Sequence, residues 1–142
     1  MDKILKLGLY GLGVTAVLFG GAMAFFGSHA VFTLFNNLLG LFYSDGAITD
    51  LASPNVDSEL RFCGIMFAFY GAILLQTAHG IERYFARIPL LLAVFALAGF
   101  SRLIGYIIIG KPNMLFIVLM VMELLLPAIL IFCWHQQKRN DV

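Results

Sequence analysis

The sequence predicts an all-α membrane protein: a bundle of four transmembrane helices with a short interfacial helix between the first two. Three observations carry this. Hydrophobic residues make up 61% of the 142-residue chain and charged residues only 12%, whereas a soluble domain carries about 25% charge. Mean hydropathy is +0.95, so lipid must be the solvent for most of the surface. The apolar residues also fall into four runs of about the 20 residues needed to cross a bilayer. We read residues 1–142 as a single membrane domain.

The first run is Leu7 to Phe26, preceded by Lys3 and Lys6. Ala22-Met23-Ala24 resembles a signal-peptidase site, but the run is long for a signal-peptide core and reads as a retained helix. Residues 27–58 are different in character. Asp45, Gly46, Ser53, Pro54 and Asn55 mark turns. Between them, Val31, Leu34, Phe35, Leu38 and Phe42 share one helical face in a run too short to span. That stretch predicts a helix lying at the interface.

Leu60 to Ala78 is the second span, and Gly80 to Arg87 a short loop. Ile88 to Ile109 is the third span, opened by Pro89 where a helix tolerates proline. Gly110-Lys111-Pro112-Asn113 makes a tight turn into the fourth span, Met114 to Trp134, followed by a polar tail. Lys3, Lys6, Arg83, Arg87, Lys138 and Arg139 all fall on one side, against Lys111 on the other. The excess of basic residues marks the cytoplasmic face, so both termini are expected there and the acidic 27–58 segment outside.

Arg102 and Glu123 are charges inside apolar runs, each costing about 2.5–3.5 kcal/mol at a helix centre on insertion scales. Spans three and four form a hairpin around the Lys111-Pro112 turn. Both charges therefore lie roughly 12–15 Å below its turn end, which predicts an ion pair. Glu59 and Arg61 open span two on the same side and suggest one outer-half cluster of Glu59, Arg61, Ser101, Arg102 and Glu123, with Tyr106 nearby. Such a cluster either fixes helix register or binds a polar headgroup or proton-linked solute. Pro127 removes the backbone donor to the Glu123 carbonyl, which favours a site.

Gly13, Ala16, Gly20 and Ala24 give span one a small-residue face that packs either within the bundle or against another subunit. Cys63 and Cys133 fall near opposite faces, roughly 20–25 Å apart, too far for a disulfide. His79 and His135 sit at span ends as ordinary interfacial residues, so no cofactor and no metal are expected. The phenylalanines Phe62, Phe67 and Phe69 read as lipid-facing or packing residues, and Tyr84 and Trp134 as an interfacial belt. Nucleophile, zinc-protease and phosphate-loop motifs are missing from the sequence, and a net charge of +1 gives no footprint for nucleic acid.

The stretch Ser58-Glu59-Leu60-Arg61-Phe62, followed by Arg87-Ile88-Pro89-Leu90-Leu91, Gly99-Phe100-Ser101-Arg102-Leu103 and Glu123-Leu124, resembles a family of small bacterial four-helix inner-membrane proteins. That family is known only as domain of unknown function family 4345. The resemblance runs from span one to Trp134. It implies a bacterial inner-membrane location and a compact bundle, and brings no activity with it. The expected function is a non-enzymatic role in cell-envelope upkeep, through lipid or protein binding at the outer half, with membrane lipid and a second copy of the chain as partners. The alternatives are a small proton-linked transporter and an accessory subunit of a larger complex.

Overall fold

The computed structural model describes residues 3–40, 48, 51 and 53–140. The described residues are helical nearly throughout, with no strand among them. Helix α1 spans Lys3–Phe26, α2 Ser28–Leu39, α3 Pro54–His79, α4 Ile81–Tyr84, α5 Ile88–Ile109 and α6 Met114–Asn140. A 3-10 turn, Phe85–Arg87, joins α4 to α5. Four of these segments are long and apolar enough to cross a membrane. Most of their surface points outward with its apolar side chains: Ile109 is 88% exposed and Leu97 66%. In water that exposure would drive aggregation, so this is the hydrocarbon-facing surface of a multi-pass membrane protein.

Local chemistry explains where each helix begins and ends. α1 stops at Gly27, whose φ of +85° suits glycine, and α2 starts on the next residue. α3 begins six residues before the apolar run at Leu60. Ser53 caps it: its Oγ accepts from the Val56 N–H at 3.3 Å and its carbonyl from the Asp57 N–H at 2.9 Å. Pro54 occupies the first helical position. Residues expected as turn thus form the first turn of a span. Asn113 caps α6 in the same way, its Oδ1 accepting from the Leu115 N–H at 2.9 Å. α6 then runs past Trp134 to Asn140, because Lys138 and Arg139 sit at the helix end that favours cations. The loop expected at Gly80 to Arg87 is instead wound into α4 and the 3-10 turn, anchored by the buried Ile81.

The helix expected at Val31 to Phe42 is α2, Ser28–Leu39; Phe42, with Asp45 and Gly46, lies outside the described residues. Its apolar arc divides. Val31 and Phe32 are buried, while Leu34, Phe35 and Leu38 are exposed.

The chain divides into two compact units, Gly11–Leu75 and Met1–Tyr10 with Gln76–Val142. In the first, α1 and α3 run antiparallel through paired glycines. A Cβ at Gly13 would lie 3.0 Å from the Gly71 carbonyl oxygen, and one at Gly20 2.5 Å from that of Gly64. The pairs recur every seven residues, so one straight seam holds both. This settles the small-residue face: Gly13, Ala16 and Gly20 are buried and packed within the chain. Phe19 adds edge-on contacts to Phe32 at 5.6 Å and Phe67 at 6.4 Å. Phe62 and Phe69 point outward as lipid-facing residues.

In the second unit α5 and α6 form the expected hairpin, joined through Gly110 at φ +122°. Leu130 packs where Gly8 of α1 lacks a side chain. Leu5, Leu9, Ile81, Ile88 and Leu92 are fully or almost fully buried and form its core.

Candidate functional site

Two charged pairs stand in the helices, one in each unit. In the α5–α6 hairpin, Arg102 Nε donates to Glu123 Oε2 at 2.7 Å. Gly99 lies one turn from Arg102 on the same face, where a Cβ would meet Leu124 Cγ at 2.9 Å and Glu123 Cβ at 3.1 Å. The missing side chain lets the helices approach until the carboxylate reaches the guanidinium. The Glu123 side chain is only 10% exposed, while that of Arg102 is 36% exposed. The guanidinium also leans towards the turn end of the hairpin, with Cζ 6.0 Å from the Phe116 ring in the first turns of α6. Among the described residues Glu123 is its only hydrogen-bond acceptor. Two Nη groups, four donor hydrogens in all, are thus left without a protein acceptor among them. Pro127, one turn along α6, is buried and provides no N–H for the Glu123 carbonyl.

In the other unit Arg61 is committed to the protein. Its Nε donates to Asp57 Oδ2 at 2.6 Å, and its Nη1 to the carbonyls of Ala24 at 2.9 Å and Phe25 at 3.2 Å. Those are last-turn carbonyls of α1, which lack partners within their own helix. The guanidinium therefore caps the negative end of α1. The Asp57 carboxylate stands at the Ser28 backbone N–H, the positive end of α2. One ion pair on α3 thus brackets the Gly27 elbow, matching the sign of each helix end. A Cβ at Gly27 would lie 2.6 Å from Arg61 Nη2 and 3.0 Å from Asp57 Oδ1.

Of the residues expected to cluster, the structure joins Arg102 to Glu123. Arg61 takes Asp57 as its partner, not Glu59, because Asp57 lies one helical turn behind it and Glu59 faces elsewhere. Glu59 and Ser101 are exposed, and Glu59 enters no ion pair among the described residues. Asp57 and Gly27 were not singled out from the sequence. The Asp57–Arg61 spacing of four would have exposed the pair once the helix was extended back to Pro54.

At the opposite end of the hairpin, Trp134 Nε1 donates to the Phe85 carbonyl at 3.0 Å and its ring stacks on Phe85 at 5.5 Å. His79 and His135 are exposed. Among the described residues no three His, Cys, Asp or Glu side chains gather as a metal site. Cys63 and Cys133 are free thiols.

Compared with known families, residues 4–135 match the model described as Domain of unknown function (DUF4345). The chain belongs to that family. The match includes Arg61, Asp57, Arg102, Glu123 and the Phe85–Trp134 stack. No curated protein and no solved structure matches the chain.

Proposed function

We propose that the chain is a non-enzymatic bacterial inner-membrane protein, with both termini cytoplasmic, that binds a phospholipid headgroup at its outer half in the service of envelope upkeep. One observation carries this reading. Arg102 sits in an apolar span, is held by Glu123 through Nε alone, and keeps its Nη donors without an acceptor among the described residues. Donors left unmet at membrane depth are costly, and a planar guanidinium fork matches phosphate oxygens two at a time. The lean towards Phe116 directs the fork to the turn end of the hairpin, where a headgroup would lie.

The α2 helix supports the same reading. It exposes Leu34 and Leu38 on one arc and His29 and Asn37 on the other, as a helix seated in the interface does. Glu123 is committed to Arg102, which removes the free carboxylate a proton-linked carrier would use.

Native mass spectrometry of protein extracted in mild detergent tests the proposal. The wild type should retain phospholipid. The double variant Arg102→Met with Glu123→Leu removes the pair together, and should fold while retaining clearly less of that lipid than the wild type. A folded double variant retaining the wild-type amount would overturn the reading.

A further inference from the structure

We propose that the other end of the hairpin is a second binding site, for the phosphate of an anionic phospholipid of the opposite leaflet, built on an aromatic platform of Tyr84, Phe85 and Trp134. Arg102 is fifteen residues along α5 from Arg87, which puts the two ends roughly 22 Å apart. This site is therefore independent of the headgroup reading above.

The Phe85–Trp134 part of the platform is pinned. Trp134 is fixed by its indole N–H on the Phe85 carbonyl and by the stack on the Phe85 ring. The cations are arranged on it. Arg87 Cζ lies 4.8 Å and Arg83 Cζ 5.5 Å from the Tyr84 ring centre, and Lys138 Nζ 5.3 Å from that of Trp134. The Tyr84 and Trp134 rings hold these cations in place without using up their hydrogen-bond donors. The two ion pairs among the described residues are Asp57–Arg61 and Arg102–Glu123, so Arg83, Arg87, Lys138 and Arg139 have no carboxylate partner there. Glu82 is the one acid beside them among the described residues, and it is exposed. Lys138 and Arg139, both exposed, continue the basic surface along α6.

Cations that have no carboxylate partner among the described residues, held over aromatic rings at the end of an apolar span, fit a ligand with a phosphate and an acyl chain. A free phosphate would use the cations alone. A diffuse attraction to anionic lipid, about 1 kcal/mol per basic residue, would depend on the number of charges and not on their position.

Trp134 is the single tryptophan in the chain, so its fluorescence reports on this site. The protein is reconstituted into nanodiscs of phosphatidylcholine alone, or of equal parts phosphatidylcholine and phosphatidylglycerol, with bromine on the acyl chains of one lipid at a time. Brominated phosphatidylglycerol should quench Trp134 several-fold more than brominated phosphatidylcholine. Arg87→Gln with Lys138→Gln should abolish that preference. Lys3→Gln with Lys6→Gln removes the same charge and should leave it intact. Equal losses in both double variants, or no preference in the wild type, would overturn the site. A fluorescence change saturated by inorganic phosphate in phosphatidylcholine discs, without the lipid preference, would overturn lipid as the source. Retained secondary structure and a monodisperse elution profile check that each variant is folded.

Discussion

Gly20 and Gly64 face each other across α1 and α3, and each leaves the space that the other's backbone carbonyl fills. A Cβ on Gly20 would lie 2.5 Å from the Gly64 oxygen, and one on Gly64 2.8 Å from the Gly20 oxygen. Backbone cannot yield as a flexible side chain can. We expect Gly64→Ala to lower stability by about 2 kcal/mol or more, since overpacking a tight site costs about 1–3 kcal/mol. Gly21 is the control. It has nothing within 4 Å of a Cβ, so Gly21→Ala should raise stability by about 0.5–1 kcal/mol through helix propensity. Thermal denaturation in detergent followed by circular dichroism separates the two.

The Arg102–Glu123 pair predicts non-additivity. Glu123→Ala leaves a cation in an apolar span without its partner, and should destabilise by about 3 kcal/mol. Removing both charges, Arg102→Met with Glu123→Leu, should restore most of that loss. A double-mutant cycle on thermal stability measures the coupling. Additive single effects would mean that the two side chains do not act as a pair.

Arg61 serves the α1 end, so its loss should be felt at the elbow. Arg61→Ala removes the donors to two α1 carbonyls and the Asp57 contact, and should cost about 2 kcal/mol, the order of a hydrogen bond to a charged group. Asp57→Asn keeps the carbonyl contacts and should cost less. Hydrogen exchange at residues 24–31 is the local readout, with faster exchange expected in Arg61→Ala.

Trp134→Phe separates stacking from hydrogen bonding. The phenyl ring can still stack on Phe85, but the Phe85 carbonyl loses the indole N–H. A loss of about 1 kcal/mol is expected, with the hairpin retained.

The four spans were legible because a hydrophobic run of span length matches the bilayer, and in lipid a single segment satisfies its own backbone only as a helix. Arg102 and Glu123 could be matched because a four-residue turn fixes the register of an antiparallel hairpin, so distance from Gly110 and Asn113 translates into depth. The partner of Arg61 was hidden for a related reason. The apolar run starts at Leu60 and Ser53, Pro54 and Asn55 read as turn, so Asp57 was not placed one helical turn behind Arg61. Ser53 followed by Pro54 was the start signal that outweighs the polar composition. The Gly27 elbow depends on a positive φ that α2 and α3 select together, and a lone glycine in sequence does not announce it. The six further residues of α6, from His135 to Asn140, were missed because a polar stretch ends the membrane span without ending the helix.

Both proposed sites rest on which end of the bundle faces outward, and cysteine accessibility tests that most directly. On a background of Cys63→Ser and Cys133→Ser, single cysteines are placed by Asn37→Cys, Lys111→Cys, Glu82→Cys and Gln136→Cys, all at exposed positions. They are probed with a membrane-impermeant maleimide before and after permeabilising the cells. Four spans with the basic end inside predict labelling at 37 and 111 in intact cells, and at 82 and 136 only after permeabilisation. Labelling of 82 or 136 in intact cells, or 37 and 111 reacting from opposite sides, would contradict the account.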